Sequence, residues 1–201
     1  ANYQAIAAYE QAAEYYERFA ERYPREDGSD CTDADREAET CAIAHEALRD
    51  AIFFRMGLGR RHHGQAVEDA ALFERNYARR HPRVTSQVVF AVGDLYRRQE
   101  RWDETARHFG GYIRRFRRTG YPHQIIQAHV AIGNAHWERD DRRRARSPFE
   151  AAVAAWESAP EAINALEVPD STKLQYMALA KMAVSEALFR RHKIDTEMSP
   201  E

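Results

Sequence analysis

The chain has 201 residues, of which 44% are hydrophobic and 31% charged, and its formal net charge at pH 7 is −2. This composition suits a folded protein, because disordered chains contain fewer apolar and aromatic residues. No stretch approaches the roughly 20 consecutive apolar residues of a membrane span, and the small net charge gives no general attraction to nucleic acid. Because β-branched residues do not alternate over any useful length, the sequence predicts an all-α protein.

The charges are unevenly distributed. Residues 26–50 contain nine acidic residues and two arginines, whereas residues 97–146 contain thirteen arginines and six acidic residues. Such blocks either steer a partner or belong to solvated helix faces. The arginine-rich segment leaves open an anion or nucleic-acid binder as an alternative function, although no recognised nucleic-acid-binding module is present.

The first predicted helix spans residues 2–23 and carries apolar residues at three- and four-residue spacing. This pattern predicts a buried face that includes Tyr9, Ala13 and Tyr16, and the helix ends before Pro24. Because the sequence begins inside this helix without a signal peptide, we expect one of two origins. It is either a piece of a longer chain whose targeting segment has been removed or a cytosolic protein.

The two cysteines, Cys31 and Cys41, lie in the loop that follows and on the next helix. The nine residues between them are too many for a redox CxxC motif, and two thiols are too few for a zinc site. Either they form a disulfide in an oxidising compartment or they are two unrelated thiols.

A helix pair is predicted over residues 34–80, with a polar turn through His62 and His63 between its helices. No carboxylate in the chain is predicted to lie alone on an apolar face, where burial would raise its pKa. We also find no phosphate-binding loop, no nucleophile motif and no metal-ligand spacing. We therefore expect a protein that is not an enzyme, with no catalytic residue, no metal site and no cofactor.

One motif occurs twice in the second half of the chain. A glycine is followed by a bulky residue after three positions, a small residue after twelve, an aromatic after sixteen and a packing residue after nineteen. The two copies are Gly93, Tyr96, Thr105, Phe109, Tyr112 and Gly133, His136, Ala145, Phe149, Ala152. Each copy predicts two antiparallel helices, over residues 85–118 and 124–157.

The last predicted helix spans residues 170–193 and is capped by Asp170 and Ser171. Its large apolar residues are expected to point mostly inward: Leu174, Met177, Ala178, Met182, Leu188 and Phe189. In the preceding helix, Pro148 predicts either a kink or a helix start at Ser147.

The repeated motif is similar to that of tetratricopeptide (TPR) repeats. The resemblance implies that residues 1–201 form a single array, a right-handed solenoid of about eight helices in which residues 170–193 are the capping helix. The aromatic–x–x–x–Tyr–Pro ending at residues 19–24, together with the long helices, resembles the TPR scaffolds and lipoproteins of bacterial cell envelopes. Those proteins serve outer-membrane assembly, Tol–Pal coordination and gliding motility.

This resemblance implies a non-catalytic adaptor at the periplasm or outer membrane, which holds a protein or peptide in a concave groove. A small-molecule substrate is not expected, and membrane association would come only from regions outside this sequence. The alternative is a cytosolic regulatory TPR domain that controls an attached effector.

Carried over from the family motif, the groove is lined by the first helices of the two clear repeats. The residues at these positions are Gln87, Phe90, Asp94, Arg97, Arg98, Gln127, Asn134, Trp137 and Glu138. Asn134 stands where chaperone-binding members grip a terminal carboxylate. Because Val130 replaces the lysine of those members, we do not expect a carboxylate clamp.

Overall fold

The structure is a computed structural model that describes residues 2–22 and 43–198. Regular structure in these two ranges is helical and includes no strand, which confirms the prediction of an all-α protein for this part of the chain. None of the helices there combines the length and the apolar character needed to cross a bilayer. The predicted cysteine pair, Cys31 and Cys41, lies outside the described residues.

Within the described ranges the chain forms nine α-helices and one short 3₁₀ helix, Arg60–His62. The α-helices are α1 Asn2–Arg22, α2 Ala44–Gly57, α3 His63–Tyr77, α4 Pro82–Arg98, α5 Trp102–Phe116, α6 Pro122–Glu138, α7 Arg142–Trp156, α8 Ala159–Asn164 and α9 Asp170–Met198. The chain divides into two compact units, Ala1–Leu95 and Tyr96–Glu201, so the boundary falls in the last turn of α4.

In the first unit, α2 packs against α1 and α3. The buried side of α1 includes Ala13 and Ala20, whereas Tyr9 and Tyr16 are 52% and 37% exposed. The prediction that both tyrosines belong to the buried face was therefore wrong. Their rings lie against Phe54 of α2, with centroids 5.3 and 6.0 Å away. Small alanines allow the two helices to approach closely, and the large rings cover the seam from its edge.

In the second unit, α6 packs between α5 and α7, and α9 packs against both α6 and α7. Residues of the second motif copy contact one another in this unit. A Cβ atom added to Gly133 would lie 2.5 Å from Cε1 of Phe149, so only glycine leaves room for that ring. Phe149, Ala145 and Ala152 are fully buried in one apolar cluster with residues of α6, α8 and α9. The spacing of the repeat thus corresponds to a direct contact between α6 and α7.

The turns at the ends of α4 and α6 have the same backbone geometry. Glu100 and Asp140, which each follow the motif glycine by seven residues, have φ angles of 59° and 61°. The next amide in each turn, that of Arg101 or Asp141, donates to the carbonyl of the residue five positions earlier, at 3.0 and 2.9 Å. This is the 6→1 hydrogen bond of a helix C-terminus that ends in a left-handed residue.

Helix α7 begins at Arg142, and Pro148 lies inside it. Of the two alternatives for this proline, the helix start at Ser147 was therefore wrong. The reason is the side chain of Asp141, whose Oδ1 accepts a hydrogen bond of 3.0 Å from the amide of Arg144 and caps the helix six residues before Ser147.

Helix α9 buries small residues and exposes large ones. Ala180, Ala183 and Ala187 face the apolar cluster, whereas four large apolar side chains lie on the opposite side. These are Leu174, Met182, Phe189 and Leu188, which are 71%, 70%, 60% and 42% exposed. The prediction that they point inward was wrong, because the alanines bring α9 close to α6 and α7 and leave no room for bulky side chains.

Candidate partner-binding surface

Four of the predicted groove residues lie on α6, and α9 contacts two of them. The Nδ2 atom of Asn134 donates to Oε1 of Glu186 at 2.8 Å, while Oδ1 of Asn134 is buried without a hydrogen-bond partner. Gln127 is half-buried and Glu138 is exposed. The side chain of Asn134 is therefore already engaged by α9.

Trp137 is the second groove residue that α9 contacts. The guanidinium groups of Arg142 and Arg190 lie 3.9 and 4.6 Å from the centre of its ring. Arg142 also donates to the backbone carbonyl of Trp137 at 2.6 Å and reaches Glu197 of α9 at 3.4 Å. The indole ring thus helps to fix the C-terminal half of α9 on the second unit through cation–π contacts.

The arginine run at the start of α7 is largely paired with acids. Arg144 reaches Asp141 at 3.5 Å, and Arg146 reaches both Glu150 and Asp195 at 3.1 Å. These contacts neutralise much of the positive charge that the sequence places here. The contact of Arg146 with Asp195 is also one more link between α7 and the end of α9.

The other predicted groove residues lie on α4. Gln87, Phe90 and Asp94 are half-buried in the first unit, whereas Arg97 and Arg98 are exposed at the beginning of the second. The contacts with α9 described above involve Asn134 and Trp137 of α6. That the α4 residues line a partner-binding groove stays a prediction.

Among the described residues of the second unit, the exposed large apolar side chains all lie on α9. Leu174, Met182, Leu188 and Phe189 follow one another at intervals that place them on one face of a helix, and Ala178 and Ser185 fill the positions between them. We call these six residues the α9 outer face. Single exposed apolar residues are ordinary, but a row of large ones marks an interaction site.

The first unit contains a buried charged cluster that the sequence analysis missed. Arg55 of α2 donates to both carboxylate oxygens of Glu17 on α1, at 2.7 and 2.8 Å. On α3, the Oδ1 atom of Asp69 accepts from Gln65 at 2.8 Å, while its Oδ2 is buried and accepts no hydrogen bond from the described residues. Nη1 of Arg55 lies 3.5 Å from Nδ1 of His62, which is also buried.

Burial raises the pKa of Asp69 to about 6; the hydrogen bond from Gln65 opposes this rise, and the nearby Glu17 carboxylate adds to it. The expectation that no carboxylate is perturbed by burial was therefore wrong. The sequence does carry a signal, because Asp69 lies three residues after Ala66 and four before Phe73, both of which are fully buried.

The second unit contains a buried titratable group of the opposite kind. His123, at the start of α6, is 5% exposed and its ring stacks on that of Tyr176, with centroids 4.0 Å apart. Burial lowers the pKa of His123 to about 4, and its Nδ1 atom is buried without a hydrogen-bond partner. This imidazole is consequently neutral under ordinary conditions and serves as a packing group.

Comparison with known proteins gives no assignment: no family model matches the sequence, and no curated protein or solved structure is significantly similar to it.

Proposed function

We propose that this chain is a non-catalytic scaffold with a TPR-like helical-repeat architecture, and that it binds another protein through the α9 outer face. The observation that carries the proposal is the exposure of Leu174, Met182, Leu188 and Phe189 on one side of α9. A row of large apolar side chains on one face of a helix is suited to being covered by a further helix.

Two features of the second unit support the repeat architecture in this proposal. The glycine and the aromatic of the motif touch at Gly133 and Phe149, and the left-handed turns at Glu100 and Asp140 recur at the same motif position. A recurring turn and a recurring spacing indicate one structural unit used twice.

The groove on α6 is the weaker candidate for the binding surface. Asn134 and Trp137 already contact Glu186 and Arg190 of α9, so a partner that used them would have to displace this helix. The anion-binding alternative has less support for a similar reason, because Arg142, Arg144 and Arg146 have carboxylate partners within the chain.

The proposal is tested by capture of partners with the full chain from envelope and cytosolic fractions of source cells. The test variant is Leu174→Glu/Met182→Glu, and the matched control is Ser147→Glu/Ala154→Glu, which adds the same charge at exposed positions of α7. We expect the control to retain the proteins that the wild type captures and the test variant to lose them. Equal capture by all three proteins would contradict the proposal, and the fraction that contains the partner separates an envelope role from a cytosolic one.

A further inference from the structure

The α9 outer face has the dimensions of a site for one helix. Leu174 and Phe189 are fifteen residues apart, so the face extends about 22 Å along α9 at 1.5 Å per residue. Its small residues, Ala178 and Ser185, alternate with the large ones and leave shallow gaps between them. Side chains of a second helix pack into such gaps as ridges into grooves.

The charges on this side of α9 are basic. Lys181 lies within the outer face and is exposed, and Nζ of Lys193 lies 5.7 Å from the centre of the Phe189 ring. The described acids of α9 have partners within the chain, as follows: Asp170 with Lys173, Glu186 with Asn134, Asp195 with Arg146 and Glu197 with Arg142. A complementary ligand is therefore acidic where it faces Lys181.

The position of Lys181 argues against a second copy of this chain as the ligand. Lys181 stands next to the midpoint between Leu174 and Phe189. An antiparallel pair of α9 helices centred on the face would bring the two Lys181 side chains together, and a parallel pair in register would do the same. Like charges at such positions destabilise helix pairs.

The same position argues against a lipid surface. Helices that lie in a membrane interface keep their lysines on the polar side, away from the apolar face that enters the bilayer. In α9, helical spacing places Lys181 on the same side as Leu174, Met182 and Leu188, and its side chain is exposed there.

We infer that the α9 outer face binds an amphipathic helix of a partner protein, with apolar residues at three- and four-residue spacing and a glutamate or aspartate opposite Lys181. This inference rests on the proposed function and adds the chemical nature of the partner. Apolar burial supplies most of the affinity, and the carboxylate selects the register of the bound helix.

The test is a selection with the immobilised full chain from a displayed library of helical peptides roughly 18 residues long, enough to span the face. The library has a fixed row of leucines, and the flanking positions vary among glutamate, glutamine and lysine. Wild type should enrich glutamate over lysine at one flanking position by about three- to tenfold, as for one partly exposed ion pair. Lys181→Glu should reverse this preference, and Met182→Glu should abolish enrichment.

Three outcomes would overturn the inference. The first is an enrichment that is the same for wild type and Lys181→Glu, or no enrichment at all. The second is a wild-type dimer in sedimentation experiments that Met182→Glu dissociates, which would make a second copy the ligand. The third is co-sedimentation with phosphatidylserine-containing vesicles that Met182→Glu prevents, which would make lipid the ligand. If cellular capture still depends on Leu174 and Met182 in any of these cases, the proposed scaffold function is retained and only the inference of an acidic helical ligand is rejected.

Discussion

Buried alanines and aromatic rings lie between the helices of both units, but the first unit adds a charged cluster. Glu17, Arg55 and Asp69 connect α1, α2 and α3, whereas Phe149 of α7 lies in an apolar cluster with residues of α6, α8 and α9. The glycine-and-aromatic motif is clear only in residues 85–157, much of which lies in the second unit. In the second copy of the motif, Gly133 of α6 packs against Phe149 of α7. In the first unit, the ion pair between Arg55 and Glu17 contributes to the contact between α1 and α2.

The two units also differ in the sign of their response to pH. Asp69 has a pKa raised to about 6, and His123 has a pKa lowered to about 4. Both side chains are neutral in their preferred folded form. Lowering the pH therefore stabilises the first unit through Asp69 and destabilises the second unit through His123.

The largest expected effect tests packing in the second unit. Phe149→Ala removes a fully buried ring and should lower the free energy of unfolding by about 3–5 kcal/mol. Gly133→Ala should cost about 1–3 kcal/mol, because the new methyl group overlaps the ring. Urea denaturation followed by tryptophan fluorescence measures both, since Trp102, Trp137 and Trp156 all lie in this unit.

A control for this packing is the double variant Gly133→Ala/Phe149→Leu. The smaller leucine leaves space for the methyl group. The loss of unfolding free energy in the double variant should therefore be smaller than the sum of the losses in Gly133→Ala and Phe149→Leu. Strictly additive costs would show that the two residues do not share the contact.

Removal of the guanidinium in the first unit should have the next largest effect. Arg55→Met leaves the Glu17 carboxylate and Asp69 buried without their cation, and we expect a loss of about 2–4 kcal/mol. Arg75→Met is the matched control, because Arg75 is exposed on α3, so its loss should stay below about 0.5 kcal/mol. Hydrogen exchange of α2 and α3 amides measures both variants. Similar losses for the two would refute a special role for the buried pair.

Asp69→Asn should remove the pH dependence of the first unit. The pKa of Asp69 in the folded chain, about 6, exceeds the ordinary value of 3.8. Protonation of Asp69 therefore stabilises the folded unit fully below pH 3.8, and this stabilisation is lost as the pH rises through about 6. The variant should therefore be more stable than wild type at pH 8, by about 1–3 kcal/mol, and nearly equal to it at low pH. Hydrogen exchange of α3 amides, corrected for intrinsic rates, follows this change; wild type and variant with parallel pH profiles would contradict it.

His123→Phe should show the opposite sign in the second unit. The folded pKa of His123 lies below its ordinary value of 6.5, so the unit loses stability as the pH falls from about 6.5 towards 4. Phenylalanine retains the stack on Tyr176 and does not titrate. At pH 4.5 the variant should exceed wild type by about 1–3 kcal/mol, and the tryptophan signal in urea measures the difference. A gain of equal size at pH 8 would show that the benefit is apolar packing and not titration.

The smallest expected effect concerns the repeated turn. Glu100→Gly and Asp140→Gly relieve the left-handed conformation of non-glycine residues, and each should stabilise the chain by about 0.5–1 kcal/mol. Gln99→Gly, one residue earlier and with no positive φ, should not stabilise the chain. The melting temperature of each variant is a sufficient measure. Stabilisation by Gln99→Gly but not by its neighbour would contradict the turn assignment.

Much of the fold could be predicted because helix periodicity and the glycine–aromatic spacing are local properties. The helix pair predicted for residues 124–157 is present as α6, Pro122–Glu138, and α7, Arg142–Trp156, and the motif spacing corresponds to the contact between Gly133 and Phe149. Periodicity could not predict which side of a helix is buried when the helix carries alanines on one side and large apolar residues on another. On both α1 and α9 several alanines are buried and several large side chains are exposed.

The contacts around the candidate site could not be predicted, because they join residues that lie far apart in the sequence. The sequence indicated Asn134 and Trp137 as groove residues, but their contacts with Glu186 and Arg190 depend on how α9 packs, more than fifty positions along the chain. The buried charge of Asp69 likewise depends on Glu17 and Arg55 from two other helices. Such long-range contacts leave only weak traces in a single sequence.

The most direct test of the binding surface is photo-cross-linking in source cells. A benzoylphenylalanine residue replaces Met182 on the α9 outer face, Glu138 on the predicted α6 groove, or Ser147 on α7 as a control. All three positions are exposed. The account predicts that a partner protein is cross-linked through position 182 and not through positions 138 or 147. Cross-links through position 138 alone would contradict it and would place the partner in the groove.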